Sequence, residues 1–322
     1  MTRSSLNMPT AVFSGPDHAA EVAKQRLSGR FDVLTVRPEP EDLLSAFRHC
    51  TVFIDASMKV PINADDIAAA EQLALIITAT TGATHIDQAA LASRGIPLKT
   101  LKGQTEFLRG ITPAAELSWA LVLACARHLR SAIGHVHSGQ WERTQFPGLM
   151  LKGRSIGLIG MGRIGGWMAR YAEAFGMTVN YHDPHATEVP ANANAMSLES
   201  LVENSDVVSI HVHVDDSTRG MVNAGLLQRF KMGAVFINTA RSELTDEVAL
   251  VDGLESGRLS SVGTDVLIHE PDPEKSPLWR YARDHENVVI TPHIGGFCPD
   301  AVDHVVAFTC DRILQHFDDL KS

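Results

Sequence analysis

Short apolar runs alternate with helical patches from the start of the chain. Over residues 10–97 the runs fall at 11–14, 33–36, 52–54, 75–78 and 96–99, each followed by a stretch of mixed, helix-favouring composition. This alternation predicts parallel strands joined by crossover helices. The pattern resumes at residue 155, with β-rich runs at 155–159, 177–181, 206–212, 234–238, 261–265 and 287–291 and helical segments such as 224–231 and 246–257 between them. Six such runs predict a second, doubly wound sheet, so the fold class expected is α/β with two parallel-sheet domains. Between the two regions, residues 113–128 are apolar around most of a helical axis, with Pro113 in the first turn, where a missing N–H costs nothing. Such a helix is expected to be buried between domains or at a subunit contact, with Trp119 as an interface anchor. Residues 101–112 read as the first interdomain connector. Phe107, Leu108 and Arg109 within it either reach a cleft or lie on a surface loop.

Length and composition agree with two domains. A chain of 322 residues exceeds what one core usually serves, and 44% apolar content is enough for both. The formal net charge is −10 and the 28 basic residues are scattered, which argues against a nucleic-acid surface. Cys50, Cys125, Cys298 and Cys310 show no C-x-x-C spacing and read as thiols in a reducing compartment, so a cytoplasmic location is expected. Residues 1–9 are polar and no 18-residue apolar span occurs, so neither secretion nor membrane insertion is expected. No repeat or low-complexity tract stands out.

The most informative stretch is Ser155-Ile-Gly-Leu-Ile-Gly-Met-Gly-Arg-Ile-Gly-Gly166. An apolar run gives way to glycines at 160, 162 and 165 and then to a helical segment. This arrangement lets a pyrophosphate touch backbone amides at a helix N-terminus, where N–H groups lack partners and the dipole favours anions. Alone, G-x-G-x-x-G is a weak signal, and the glycines could serve a turn without a ligand. Context strengthens it, because a second run follows the helix and ends at Asp183, 23 residues beyond Gly160. A carboxylate there accepts hydrogen bonds from ribose hydroxyls and repels a 2′-phosphate, which predicts NAD (NADH) rather than NADP.

Two strand-end loops of the first domain are candidate substrate walls, 56–60 and 79–84. In the second, Thr81, Gly82 and Ala83 could present amides to a carboxylate, or form a plain turn. Lys59 in the first could attract an anion or simply be solvated. In the second domain, three polar residues just beyond β-rich runs stand out: Arg241, Glu270 and His293. A guanidinium grips a carboxylate at two points, an imidazole exchanges a proton near neutral pH, and a carboxylate beside it favours the imidazolium and fixes the ring. Reduction of a 2-oxo acid needs that division of labour, since hydride reaching the carbonyl carbon leaves an alkoxide that must be protonated.

With these residues in view, the chain resembles the D-isomer-specific 2-hydroxyacid dehydrogenase family, which includes D-3-phosphoglycerate dehydrogenases and glyoxylate or hydroxypyruvate reductases. The resemblance covers nearly the whole chain. It rests on Gly157-Leu-Ile-Gly-Met-Gly-Arg-Ile-Gly165, His182-Asp-Pro184, Phe236-Ile-Asn-Thr-Ala-Arg241, Thr264-Asp-Val266 with Glu270-Pro271, and Thr291-Pro-His-Ile-Gly-Gly296. It implies catalysis by Arg241, Glu270 and His293, with Arg241 on the substrate carboxylate, His293 as acid/base and Glu270 as its partner. It implies cofactor contacts from Arg163 and Ile164 beside Gly160, Gly162 and Gly165, from Asp183 and Thr239, and from Asp265 to the nicotinamide carboxamide. It also implies a homodimer, and a flavodoxin-like substrate domain whose strand ends face a Rossmann NAD-binding domain. The implied boundaries are 1–108 with 300–322 for the substrate domain and 109–299 for the NAD-binding domain. Residues 300–321 would form a helix returning to the first domain, with His304, Phe308, Ile313, Leu314 and Phe317 on one face.

Three departures accompany the resemblance. Ser242 follows Arg241 where the family usually has glycine, which reduces backbone freedom. His213 stands where many members have proline, and His211-x-His213 would point two rings to one face of a strand. No third ligand has suitable spacing, so no metal is expected. The 101–112 stretch also differs from the loops of the phosphoglycerate enzymes, leaving the identity of the 2-oxo or 2-hydroxy acid open. Competing readings are a NAD(H)-sensing, corepressor-like binding protein without turnover and a phosphite-type dehydrogenase.

Overall fold

The computed structural model describes residues 8–57, 59–187 and 189–320. The ends of the polar N-terminus and of the expected substrate domain (residues 1–7 and 321–322), Met58 within the 56–60 loop, and Glu188 lie outside the described residues. Apolar runs in the first part of the chain become β1 (Thr10–Ser14), β2 (Asp32–Val36), β3 (Val52–Asp55), β4 (Leu75–Thr78) and β5 (Leu98–Lys99). All pair in parallel, in the order β2-β1-β3-β4-β5. Alternate residues enter two cores, as a period of two requires. Val12, Phe53 and Ile76 pack with Leu43, Phe47 and Ile67 on one face of the sheet. Phe13, Ile54 and Ile77 pack with Ala19, Ala23, Val306 and Cys310 on the other. Helices thus cover both faces, which is why β3 and β4 are buried along their whole length.

The last helix, Pro299–Asp319, packs against the helix Asp17–Leu27. Its buried line matches the expected one at Ile313, Leu314 and Phe317 and departs from it at His304 and Phe308. Ala301, Val305, Val306, Thr309, Cys310 and Ile313 face inward, Phe317 and Leu314 flank them, and His304 is exposed. The partner helix presents alanines, so close approach favours small and β-branched side chains on the contact line. Phe308 instead stacks on Phe107 with centroids 3.9 Å apart. Phe107 sits in a short helix, Thr105–Arg109, inside the stretch expected to be a plain connector.

Seven parallel strands form the second sheet, one more than the apolar runs suggest. They are β6 (Ser155–Ile159), β7 (Thr178–His182), β8 (Asn194–Ala195), β9 (Val207–Ile210), β10 (Ala234–Asn238), β11 (Leu259–Thr264) and β12 (Val288–Ile290). The order is β12-β11-β10-β9-β6-β7-β8. The extra strand, β8, is a two-residue exposed edge, too short to leave an apolar run. Chain direction across the sheet reverses at β6, and ligands of doubly wound sheets collect at that point, beyond the strands' carboxyl ends. The apolar helix is Pro113–Ala126, and its sides are taken up within this unit by β10, β11, β12 and the helix Arg163–Ala174. Trp119 is a core residue, 7% exposed beside the rings of Tyr171 and Phe175, rather than the interface anchor expected of it.

Contacts divide the chain into one unit reaching Ile111 and resuming at Phe297, and a second spanning Thr112–Gly296. Among the described residues no helix is long and apolar enough to cross a membrane.

Candidate active site

The glycine loop follows β6 directly. Gly160 has φ +96°, and a Cβ there would meet the carbonyl of His211 at 2.6 Å. A Cβ on Gly165 would collide with the carbonyl oxygen of Gly160, so that glycine lets the helix start close against the strand end. Gly162 is different. It caps the helix Arg163–Ala174, supplies no side-chain acceptor to the first turn, and has nothing within 4 Å of where a Cβ would sit. The loop is therefore tight on its protein side and open at its middle glycine, with first-turn amides that an intrahelical ladder cannot satisfy. Arg163, Ile164 and Gly165 form that first turn.

Asp183, the residue after β7, closes over this loop. Its carboxylate accepts the Met161 amide at 2.8 Å and the His185 amide at 2.8 Å. A carboxylate has about four acceptor positions, so two stay available to hydroxyl donors. Cradle and carboxylate together fit a dinucleotide with free ribose hydroxyls.

Arg241, Glu270 and His293 meet around one cavity of about 310 Å³, which Ser242, Glu243, Val266, Leu267 and His269 complete. Arg241 follows β10, where the buried Asn238 side chain shapes the turn by donating to the Arg241 carbonyl (2.9 Å) and accepting the Ala240 amide (3.0 Å). The guanidinium is exposed and gives one donor, Nη1, to the Ala240 carbonyl. His293 Nδ1 lies 2.7 Å from Glu270 Oε2, and the other Glu270 oxygen accepts the Leu267 amide at 2.8 Å. The carboxylate is thus held by backbone on one side and holds the ring on the other. The contact with Glu270 takes Nδ1 and leaves Nε2 as the other exchangeable nitrogen of the ring.

His293 has φ +53°, a left-handed conformation that non-glycine residues adopt at a cost of roughly 1–3 kcal/mol. Asp265 holds it there. This carboxylate is 1% exposed and accepts the Thr291 hydroxyl (2.5 Å) and the amides of Ile294 (2.9 Å) and Gly295 (2.7 Å). Its hydrogen bonds therefore clamp the His293 loop. Thr239, grouped with the cofactor contacts, is 8% exposed and bonds Ser118 through its hydroxyl at 2.6 Å. Glu247, Asn238 and the clamping role of Asp265 were not picked out from the sequence. No motif spacing marks a carboxylate or amide whose partners are backbone groups.

In the first unit, the 79–84 loop is braced by its own threonines. Thr80 donates to the Gly82 carbonyl at 2.8 Å, and Thr78 to the Thr80 carbonyl at 3.1 Å. His85, just beyond, bonds Asp55 at the end of β3 at 2.7 Å. No described hydrogen bond uses the amides of Thr81, Gly82 or Ala83.

The expected His-x-His pair does not form on a strand, because β9 ends at Ile210. His211 Nε2 bonds Ser209 at 2.8 Å, and burial pushes the ring's pKa down to about 3. Among the described residues no group of three or more His, Cys, Asp or Glu is arranged to hold a metal ion. Burial likewise pushes the thiols of Cys50, Cys125 and Cys310 up to about 12.

Fold and site define an NAD-binding oxidoreductase built on two doubly wound units. Residues 119–295 match the model for the D-isomer specific 2-hydroxyacid dehydrogenase NAD binding domain, and residues 11–104 match that family's catalytic domain. The chain belongs to this family. It is similar to a hydroxypyruvate reductase of Thermotoga maritima, 33% identical over 88% of this chain and 90% of that one. A D-3-phosphoglycerate dehydrogenase of Bacillus subtilis is 35% identical over 62% of this chain, which spans only 38% of that longer enzyme. A solved protein from Thermus thermophilus superposes with a TM-score of 0.82 at 32% identity, covering 94% of this chain and 96% of that one.

Proposed function

We propose that this protein interconverts a small 2-oxo acid and the corresponding D-2-hydroxy acid, acting on the CH–OH group with NAD(H). The observation that carries the reading is the single cavity lined by Arg241, Glu270 and His293, with the imidazole 2.7 Å from the carboxylate. The open glycine loop and the first turn after it would hold the pyrophosphate, and the spare acceptors of Asp183 the ribose hydroxyls, disfavouring a 2′-phosphate. Bound NADH supplies the hydride. Arg241 takes the substrate carboxylate through two parallel N–H donors. His293, protonated, gives the Nε2 proton to the oxygen that becomes the hydroxyl, while Glu270 keeps the ring oriented and stabilises its charge. In the oxidative direction neutral His293 accepts the hydroxyl proton at the same nitrogen. In the first unit, the proposed substrate contacts are the amides of Thr81, Gly82 and Ala83.

An absorbance assay over a panel of 2-oxo acids, with NADH and NADPH in parallel, tests the reading. Turnover of at least one acid, faster with NADH, is expected. Tight NADH binding with no turnover of any acid would instead mark a nucleotide sensor.

We also propose a homodimer. Leu129, Ile133 and Val136 project along one side of the helix Leu129–His137 and are 43–53% exposed, and Trp141 beyond it is 89% exposed. Exposed apolar stripes of this kind mark association surfaces. Sedimentation velocity is expected to give a dimer that Ile133→Glu dissociates; a monomeric wild type at micromolar concentration would contradict it. The four free cysteines fit a reducing compartment such as the cytoplasm.

A further inference from the structure

We propose that Glu247 is a positioning residue for this reaction, setting the placement of Glu270 and His293 relative to Arg241. The inference rests on the function proposed above. Glu247 opens the helix Glu247–Glu255, one short turn after Arg241, and is 6% exposed. Its Oε1 accepts the Ile268 amide at 2.7 Å. Its Oε2 accepts the Ser276 hydroxyl at 2.5 Å and the Leu278 amide at 3.4 Å. All three donors belong to the segment after β11 that carries His269 and Glu270. The neighbouring amide, from Leu267, goes to Glu270 itself. Two successive backbone N–H groups are therefore taken by two different carboxylates, one buried at the start of a helix and one in the cavity.

The other side of Glu247 is equally fixed. The stretch from Arg241 to Asp246 is tied to a neighbouring segment by backbone hydrogen bonds. The amide of Gly220 donates to the Glu243 carbonyl (2.8 Å), that of Val222 to Leu244 (3.0 Å), and that of Asp246 to Val222 (3.0 Å). Glu247 links this anchored Arg241 segment to the Glu270 segment through side-chain hydrogen bonds. A carboxylate suits the task because it accepts from three donors at once and needs no proton of its own. Removing it would leave the Ile268 and Leu278 amides and the Ser276 hydroxyl without an acceptor. Glu270 would then lose the fixed backbone that aims it at His293, and a misplacement of about 1 Å at a reacting group can cost on the order of 100-fold in rate.

The test compares Glu247→Ala, Glu247→Gln, Glu270→Gln and the double variant Glu247→Ala/Glu270→Gln on the full chain. The measurements are kcat, KM, the pH profile of kcat/KM and the NADH Kd, all taken below each variant's melting temperature. Glu247→Ala is expected to lower kcat by about 100-fold with NADH Kd little changed. Its pH profile should move in the same direction as that of Glu270→Gln, and Glu247→Gln, whose amide nitrogen cannot accept from the donors one carboxylate oxygen takes, should show a smaller loss of rate with a shift in the same direction. In the double variant the two losses should not multiply, because both act through Glu270. A lowered melting temperature with kcat and pH profile unchanged would overturn the proposal, as would fully multiplicative losses. Should Glu247→Ala not fold, Glu247→Gln decides alone: it is expected to shift the pH profile as Glu270→Gln does, and an unshifted profile overturns the proposal. If His293→Ala keeps wild-type turnover, the reaction scheme itself fails; if His293→Ala is inactive and the Glu247 variants behave as wild type, only this inference does.

Discussion

The strand end after β6 and the strand ends after β10, β11 and β12 lie in one sheet and solve opposite problems. After β6, side chains are removed: Gly160 takes a left-handed φ, Gly165 lets helix and strand touch, and Gly162 leaves an open space. After β10 to β12, carboxylates are added. Asp265 gathers three donors from the loop of His293, and Glu247 gathers three from the segment of Glu270. The first arrangement opens a helix N-terminus whose first-turn amides the helix's own ladder cannot satisfy, a setting that favours an anion. The second spends the protein's own anions on loop donors, which makes the loops rigid enough to aim Arg241, Glu270 and His293. In the proposed function one end binds through backbone groups and the other works through side chains on loops that buried carboxylates hold.

That contrast can be broken at either end. The largest effect is expected from His293→Ala, which removes the proton donor and should lower kcat by about 10²–10⁴-fold while the NADH Kd measured by fluorescence stays nearly constant. An unaltered kcat would remove chemistry from the β10–β12 end. Next, Asp265→Ala leaves a hydroxyl and two amides without their acceptor. Each costs about 1–3 kcal/mol, so urea unfolding should show a loss of about 3 kcal/mol or more together with a fall in kcat. A loss below about 1 kcal/mol would mean the clamp is not needed. The smallest effects separate two glycines of one loop. Gly165→Ala must displace the Gly160 carbonyl, so it should lower both the melting temperature and NADH affinity. Gly162→Ala meets no protein atom within 4 Å, so it should leave the melting temperature unchanged and weaken NADH binding, because a methyl group there stands where the pyrophosphate would approach. Equal melting losses in both would contradict the idea that the open side of the loop is kept for a ligand.

The β6 end was legible in the sequence because glycine spacing and the acidic residue past the next run carry their own geometry. Strand-end placement also brought Arg241, Glu270 and His293 forward, since doubly wound sheets put ligands beyond strand termini. What held those side chains was not legible. Asp265, Glu247 and Asn238 act on backbone groups, and no pattern in the chain shows which amide a carboxylate will find. Packing choices were equally hidden. The apolar sides of Pro113–Ala126 fit an interface as well as a core, and only the strands and helix around it decide. In Pro299–Asp319 Ile313, Leu314 and Phe317 lie on the face their size suggested, whereas close approach to the alanines of Asp17–Leu27 fills the rest of the contact line with smaller side chains and leaves His304 and Phe308 off it. The edge strand β8 is two residues long and carries no periodicity to read.

The central claim is that the guanidinium beyond β10 grips an acid group while the imidazole beyond β12 moves a proton. Its most direct test compares kcat/KM for a 2-oxo acid with that for the matching 2-oxo amide, in the wild type and in Arg241→Met. The account predicts a wild-type preference for the acid of at least about 100-fold, set by the paired charged hydrogen bonds, that collapses to within a few-fold in the variant. A preference that survives loss of the guanidinium would contradict it.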